Sequence, residues 1–431
     1  MKINFQIFLN KILKSELIRN TTVLVTGTVL AQLISILLQP FIRRLFSPES
    51  FGIFSVYASL IGIITVISSL RFDDAIVLPK ADKESINLIG LSLFSNFFIN
   101  LVILLVLILS GKRIVSFLNL PETFQIPVLY LIPAGAFLFN TFQSLNFWLI
   151  RKRKFYSVSA NKLVRRSSEG LFQVGFALAK VYNGLIYSDL IGQFTNVGTA
   201  AIQALKNGLK FSLISRNKLR YVARKYSEFP KFNLVPAFMS ACSYYIPAVF
   251  VNKFFASEAA GFFDLSKLLL SIPLAFVASS FSSVLLQKIS EKYKNRESFI
   301  SDLKPVIMIV LLISFAEILV IMLFGEPLFK FIFGDQWITS GRISKILVWS
   351  FVLNFIVSSF STIFVTMRKI KIYSIWQFLY FIAILSLLFF QHIGFINFLK
   401  VYVIIEVVCY FALILVMVNI ISRFELSVKS E

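Results

Sequence analysis

Histidine occurs once in 431 residues, at His392, and cysteine twice, at Cys242 and Cys409. One imidazole in a short loop leaves no material for a histidine metal site and little for an acyltransferase base. Two thiols in apolar segments, without metal or redox spacing, read as core filler. Acidic residues are scarce, 21 against 43 Lys and Arg, and charged residues make up only 15% of the chain. No glycine loop of the phosphate-cradling type occurs, which disfavours an ATP-driven pump. The first apolar run, 21–42, holds no Asp or Glu and offers only Gln32 and Gln39. Residues 1–20 are amphipathic and lysine-bearing, so no cleavable signal peptide is expected.

What is present is apolar: 57% hydrophobic residues, 49 phenylalanines and a mean hydropathy of +0.82. A bilayer offers no water to backbone amides, so apolar runs of about 20 residues must be helices. Twelve runs appear: 21–42, 51–70, 88–109, 126–150, 168–182, 184–205, 234–255, 261–286, 305–324, 346–367, 373–390 and 398–421. The fifth is short and is expected to begin as a cytosolic extension carrying Arg165 and Arg166. With the N-terminus inside, 32 of the 43 basic residues fall on inner segments. Ten lie on outer loops or outer helix ends, and only Lys267 lies within a span. That asymmetry predicts both termini in the cytoplasm. The net charge of +22 then reports topology and anionic headgroups rather than nucleic acid.

The halves repeat. A shift of 209 places Arg44–Phe54 over Lys253–Phe263, matching a basic residue, Phe46 with Phe255, Glu49 with Glu258, Gly52 with Gly261 and Phe54 with Phe263. A shift of 217 places Arg151-Lys152-Arg153-Lys154 over Arg368-Lys369-Ile370-Lys371. Both anchors fall at equivalent helix numbers. The expected fold is an all-α integral membrane protein with about twelve transmembrane helices in two six-helix lobes around a central cavity. The N-terminal lobe is expected over 1–205, a basic cytoplasmic linker over 206–231 and the C-terminal lobe over 232–431. Pro48-Glu49 reads as a helix start, and Gly52 and Gly261 as points of close helix approach. Arg151 to Lys154 reads as a stop-transfer anchor.

The segments "RRLFSPESFGIFSVYASL" and "LRFDDAIVLPK" resemble the opening of the Wzx-type polysaccharide-unit (O-antigen) flippases of the multidrug, oligosaccharidyl-lipid and polysaccharide exporter superfamily. The specific motifs lie between Met1 and Phe155; the remainder agrees in layout. The Arg–Phe–Asp element maps onto Arg71, Phe72 and Asp73, and the Pro-Glu-x-x-Gly element onto Pro48, Glu49 and Gly52. The resemblance implies translocation of an undecaprenyl-pyrophosphate-linked oligosaccharide, with membrane lipids and the pathway's polymerase and chain-length proteins as partners. A multidrug antiporter is disfavoured by the acid-free first span, whereas a lipid II flippase is a close rival. A membrane polymerase or acyltransferase would need a large outer loop, and none exists.

A sugar diphosphate crosses hydrocarbon only through a polar, preferably cationic, path, so charges within or beside the spans are the candidates. Arg71, Asp73 and Asp74 form a substrate-gate candidate. At the shift of 209, Arg71-Phe72-Asp73 overlies Ser280-Phe281-Ser282, so its charges belong to one half only. On a continuing helix Arg71 and Asp74 would pair at i and i+3. Lys267 and Asp264 share a helix face as a headgroup contact or a structural pair. Glu317 is a candidate for coupling to a proton or sodium gradient, with Glu169, Asp189 and Glu406, nearer helix ends, as weaker candidates of the same kind. Arg43, Arg44, Lys253 and Arg342 could form an outer cationic rim or a headgroup anchor. Tyr57, Trp148, Trp337 and Trp349 are aromatic candidates for sugar stacking, with an interfacial belt favoured for the tryptophans. No catalytic group, metal site or bound cofactor is expected.

Overall fold

The computed structural model describes residues 16–121 and 126–430; the stretch 1–15, on which the signal-peptide reading rests, lies outside them. Among the described residues, twelve long helices carry the fold. They are α1 Glu16–Leu45, α2 Pro48–Ser68, α3 Asp82–Phe117, α4 Leu131–Arg151, α5 Phe155–Leu178 and α6 Gly184–Lys206 in the first half. A ten-residue helix, α7 Arg216–Lys225, follows. The second half holds α8 Leu234–Phe254, α9 Ser257–Lys294, α10 Ile300–Phe333, α11 Ile338–Phe360, α12 Ile370–Leu385 and α13 Phe395–Ser430. No strand occurs among the described residues. Nine of the described segments are long and apolar enough to cross a bilayer, and α1, α5 and α6 are not among them. In α5 and α6 the reason is charge and amide side chains placed mid-helix, which prove central to the site.

Helix ends follow local chemistry. α2 opens with Pro48 in its first turn and with the Ser47 hydroxyl accepting from the Ser50 amide at 3.2 Å. Several helices close on a left-handed residue that is not glycine: Asn119, Arg153, Lys180, Arg296 and Arg368 all have φ between +53° and +55°. In each, the next amide reaches five residues back, as Lys154 does to Leu149 and Lys369 to Phe364. These caps correct the second repeat anchor. Arg153 corresponds to Arg368 and Phe155, the first residue of α5, to Ile370, the first of α12, so the structural shift is 215 rather than 217. A chain reversal marked by arginine carries no glycine signal, and the run of cations let the sequence slide by two.

The chain divides into two compact units, one of residues up to Ser50 with Tyr57–Ala241, the other of Phe51–Val56 with Cys242 onward. In the first, α5 packs on α1 and α6, and α4 on α3 and α6; in the second, α11 packs on α9, α10 and α13. The glycine expectation holds in the second unit. A Cβ on Gly52 would meet the Ser257 carbonyl and the Gly261 amide, and one on Gly341 would lie 2.6 Å from the Gly325 carbonyl. Apolar side chains of α10 such as Leu312, Phe315 and Leu323 are exposed, as a lipid-facing helix requires. Trp148 and Trp337 are fully buried, which overturns the interfacial reading for both. Trp148 joins a core of Phe72, Ile76, Leu88 and Leu145, while Trp337 meets Phe51 and Phe262 edge-on. Trp349 is 48% exposed.

Candidate functional site

The α2 helix stops at Ser68, and Leu70 and Arg71 adopt φ of +50° and +61°, a conformation that β-carbon crowding makes unfavourable. The helix therefore does not continue through Arg71. A 3₁₀ helix, Phe72–Val77, follows and buries Phe72, Asp73, Ala75 and Ile76. The Arg71–Asp74 pair forms nonetheless, at 2.7 Å, across this turn. Asp73 accepts a 2.6 Å hydrogen bond from the Ser69 hydroxyl, which itself accepts from the Arg71 amide, so both aspartates serve the reversal. Burial and the neighbouring Asp73 charge push the Asp74 carboxyl up from its ordinary value, and Arg71 only partly opposes them. Arg151 closes the loop that follows. It donates to the carbonyls of Pro79 and Lys80 and to the Asp82 carboxylate, to which Lys152 also binds. Arg151 thus clamps this loop.

The interior of the first unit is a polar seam between α5 and α6. Arg165 binds Asp189 at 3.3 Å, and Arg166 binds Glu169 at 2.9 Å. Asp189 also accepts from Gln193 at 2.6 Å and from the buried Tyr57 hydroxyl at 3.3 Å. Ser168 meets Thr195 at 2.8 Å, and Asn161 donates to Gln203 at 2.9 Å. The segment ahead of the fifth apolar run is helical from Phe155, and it turns Arg165 onto α6. Arg165 Nε, Asn161 Oδ1, Gln193 Oε1 and Asn196 Oδ1 are buried without hydrogen-bond partners among the described residues. Each such atom costs about 1–3 kcal/mol unless water or a ligand serves it. A seam with this many open positions is built to hold polar company.

The second unit carries a counterpart on α12 and α13. Glu406 is buried and accepts from the Tyr380 hydroxyl at 2.9 Å, and Tyr380 lies 3.3 Å from the Tyr410 hydroxyl. Asn354 donates to Tyr410 at 2.6 Å, and Trp376 stacks on Tyr380 with ring centroids 5.3 Å apart. Lys267 donates to the Tyr244 carbonyl at 2.5 Å and lies 3.4 Å over the Tyr244 ring. The lysine is thus held by an aromatic face and a carbonyl, which a helix-face argument does not reveal.

Other expected residues scatter. Arg43 is 2% exposed and donates to Gln39, so it turns inward from any rim, while Arg44 is exposed. Lys253 lies over the Phe254 ring, and Arg342 pairs with Glu326 at 3.5 Å. Glu317 stands apart, with Oε2 buried and no hydrogen-bond partner among the described residues. Sequence reading missed Arg165 as a partner of Asp189, together with Gln193, Tyr380 and Tyr410. A signal existed: Asp189 and Glu406 are 217 apart, as are Gln193 and Tyr410. No group of three or more metal-ligating side chains occurs among the described residues.

A family model described as polysaccharide biosynthesis protein matches residues 41–342. No curated protein matches the chain in sequence. Among solved structures the chain is similar to an inward-facing multidrug resistance MATE family transporter of the MOP superfamily, with a TM-score of 0.72 and 17% identity over 92% of this chain and 95% of that one. It is similar to the lipid II flippase MurJ in an inward closed conformation, with a TM-score of 0.72 and 14% identity over 94% and 90%. A MOP superfamily transporter from Pyrococcus furiosus matches with a TM-score of 0.57 and 15% identity over 94% of each chain. At these identities the likeness is one of fold.

Proposed function

The chain belongs to the polysaccharide biosynthesis protein family, and from that premise we propose that it is a flippase for an undecaprenyl-pyrophosphate-linked oligosaccharide. The repeat unit moves from the cytoplasmic to the periplasmic leaflet of the inner membrane by alternating access, during O-antigen, capsule or exopolysaccharide assembly. The observation that carries this reading is the union of polysaccharide-synthesis membership with a transporter fold. The polar seam supports it, since a headgroup of sugars and phosphates needs open hydrogen-bonding positions where lipid-facing helices have none. Both termini face the cytoplasm, the polymerase and chain-length proteins of the pathway receive the product, and a proton or sodium gradient supplies the driving force. Among the acids proposed to couple it, Asp189 and Glu169 already hold arginines, which leaves Glu317 as the carboxyl free to exchange an ion.

The test is complementation of a flippase-null strain that carries the cognate glycan gene cluster. The expected result is that loss of this protein leaves lipid-linked units in the inner leaflet and abolishes surface glycan, and that its return restores export. Normal surface polymer in its absence would sink the reading. A lipid II flippase would instead restore growth to cells depleted of that activity.

A further inference from the structure

The α7 helix, RNKLRYVARK, is the most basic element of the protein and stands outside the twelve long helices. Its apolar side is already used. Val222 is buried, Leu219 and Ala223 are half-buried, and Val222 joins the core that contains Phe72 and Trp148. Two ties hold it to the start of α3. Glu84 binds Lys225 at 2.5 Å and accepts from the Tyr226 hydroxyl at 2.9 Å. Asn87 donates to the Leu213 carbonyl at 3.2 Å and accepts from the Ser215 amide at 3.1 Å. A helix anchored in this way has no apolar face left to lie in a bilayer surface, and its basic face is fixed in direction.

That face is unspent. Arg216, Lys218, Arg220 and Arg224 are exposed and form no ion pair among the described residues. Asn217, Arg220, Tyr221 and Arg224 follow the i, i+3, i+4, i+7 spacing of one helix face and, with Lys225, line an open hollow of about 570 Å³. Two guanidinium forks one turn apart suit the oxygens of adjacent phosphates, and the exposed Tyr221 ring and Asn217 amide suit a sugar, while the Lys225 ammonium beside them is held by Glu84. Structural stapling alone would not leave the cations unpaired on one stripe around an aromatic ring.

We propose that this hollow binds a sugar diphosphate headgroup, the part of the lipid-linked cargo that lies in the cytosol before transport. The assignment of that cargo rests on the function proposed above. The hollow lies on α7, apart from the α5–α6 seam, and serves as a first docking place that concentrates the headgroup at the face where transport begins.

The experiment uses the full-length protein in phosphatidylcholine nanodiscs, with farnesyl diphosphate and UDP-N-acetylglucosamine as probes. Wild-type protein binds both, and affinity falls as salt rises. The double variant Arg220→Ala/Arg224→Ala, altered only at exposed side chains, loses at least tenfold for both probes. Tyr221→Ala loses severalfold for the sugar-bearing probe alone, and Lys218→Ala, which does not line the hollow, binds as wild type. Equal binding by wild type and the double variant overturns the site. So does a defect that appears only in phosphatidylglycerol nanodiscs, which would make the stripe a membrane-surface anchor. Export is scored separately: a transporter that restores surface glycan but shows no dependence of binding on Arg220 and Arg224 overturns this inference alone. A protein that binds diphosphate through them but restores no glycan overturns the flippase reading and leaves the site standing.

Discussion

In the first unit the eleventh residue of α5 is Arg165, and it meets Asp189 on the next helix. In the second unit the eleventh residue of the corresponding helix, α12, is Tyr380, and it meets Glu406 on the next helix. The two carboxylates coincide at the shift of 217, and each has a hydrogen-bonding residue four positions on, Gln193 and Tyr410. The scaffold is shared and the chemistry is not. A guanidinium neutralises its acid by charge; tyrosines supply hydroxyls and no charge. The lesson is that each unit places a buried carboxyl against the eleventh residue of the preceding helix, and that this partner is a cation in one and a phenol in the other. The first unit holds an ionic seam with open polar atoms, the second a cluster of Trp376, Tyr380 and Tyr410 rings whose Tyr380 hydroxyl meets the acid.

The comparison breaks most sharply at Arg165. Arg165→Ala strands the Asp189 charge in a buried site and should cost about 3–5 kcal/mol, read as a large fall in the thermal midpoint of the purified protein. Arg165→Ala with Asp189→Asn should recover much of the loss, and a double variant as unstable as the single would show that the pair is not the cause. Tyr380→Phe removes one hydroxyl from a carboxylate that keeps other hydroxyls nearby, for about 1.5–3 kcal/mol. A fall as deep as that of Arg165→Ala would erase the distinction between the units.

Packing gives a third contrast. Gly341→Ala places a methyl 2.6 Å from backbone oxygen and should destabilise the second unit by about 1–3 kcal/mol. Gly198→Ala on α6 meets nothing within 4 Å, and should be neutral or stabilising by up to about 1 kcal/mol. The smallest effect belongs to Asp74. Its carboxyl is raised, so the folded state favours the protonated form; that contribution is present below the unfolded value and is lost as pH rises through the folded one. Asp74→Asn should therefore match or slightly exceed wild-type stability at neutral pH. The difference should shrink as the solution is acidified, and stability lost on substitution at pH 7 would reverse the sign assigned here. Arg71→Ala and Asp73→Asn, by contrast, should impair glycan export at unchanged membrane abundance if this reversal is the gate of the proposed transporter.

Much of this was legible because the bilayer leaves few options. Composition fixes an all-helical membrane protein, and hydropathy finds one run for each of the twelve long helices, though α3, α9, α10 and α13 run up to nine residues beyond the apolar run, α11 starts eight residues before it and α5 starts thirteen before it. The self-comparison found the repeat, and i, i+3 spacing found Arg71 with Asp74. The site was less legible. Arg165 and Asp189 lie on different helices, and nothing in either segment says which faces meet. Arg43 read as an outer cation, yet is buried against Gln39, and Trp148 read as interfacial, yet fills a core.

The sequence by itself determined the class of element and the order of the halves, because an apolar run in lipid can satisfy its backbone only as a helix, and duplicated segments retain their pattern. Only the tertiary structure decided which charges neutralise one another, which tryptophans lie inside and where the repeat slips by two. Those outcomes depend on the rotation of one helix against the next and on left-handed caps carried by arginine. Rotating a helix by about 100°, the step from one residue to the next, exchanges a buried partner for a lipid-facing one without altering a single residue.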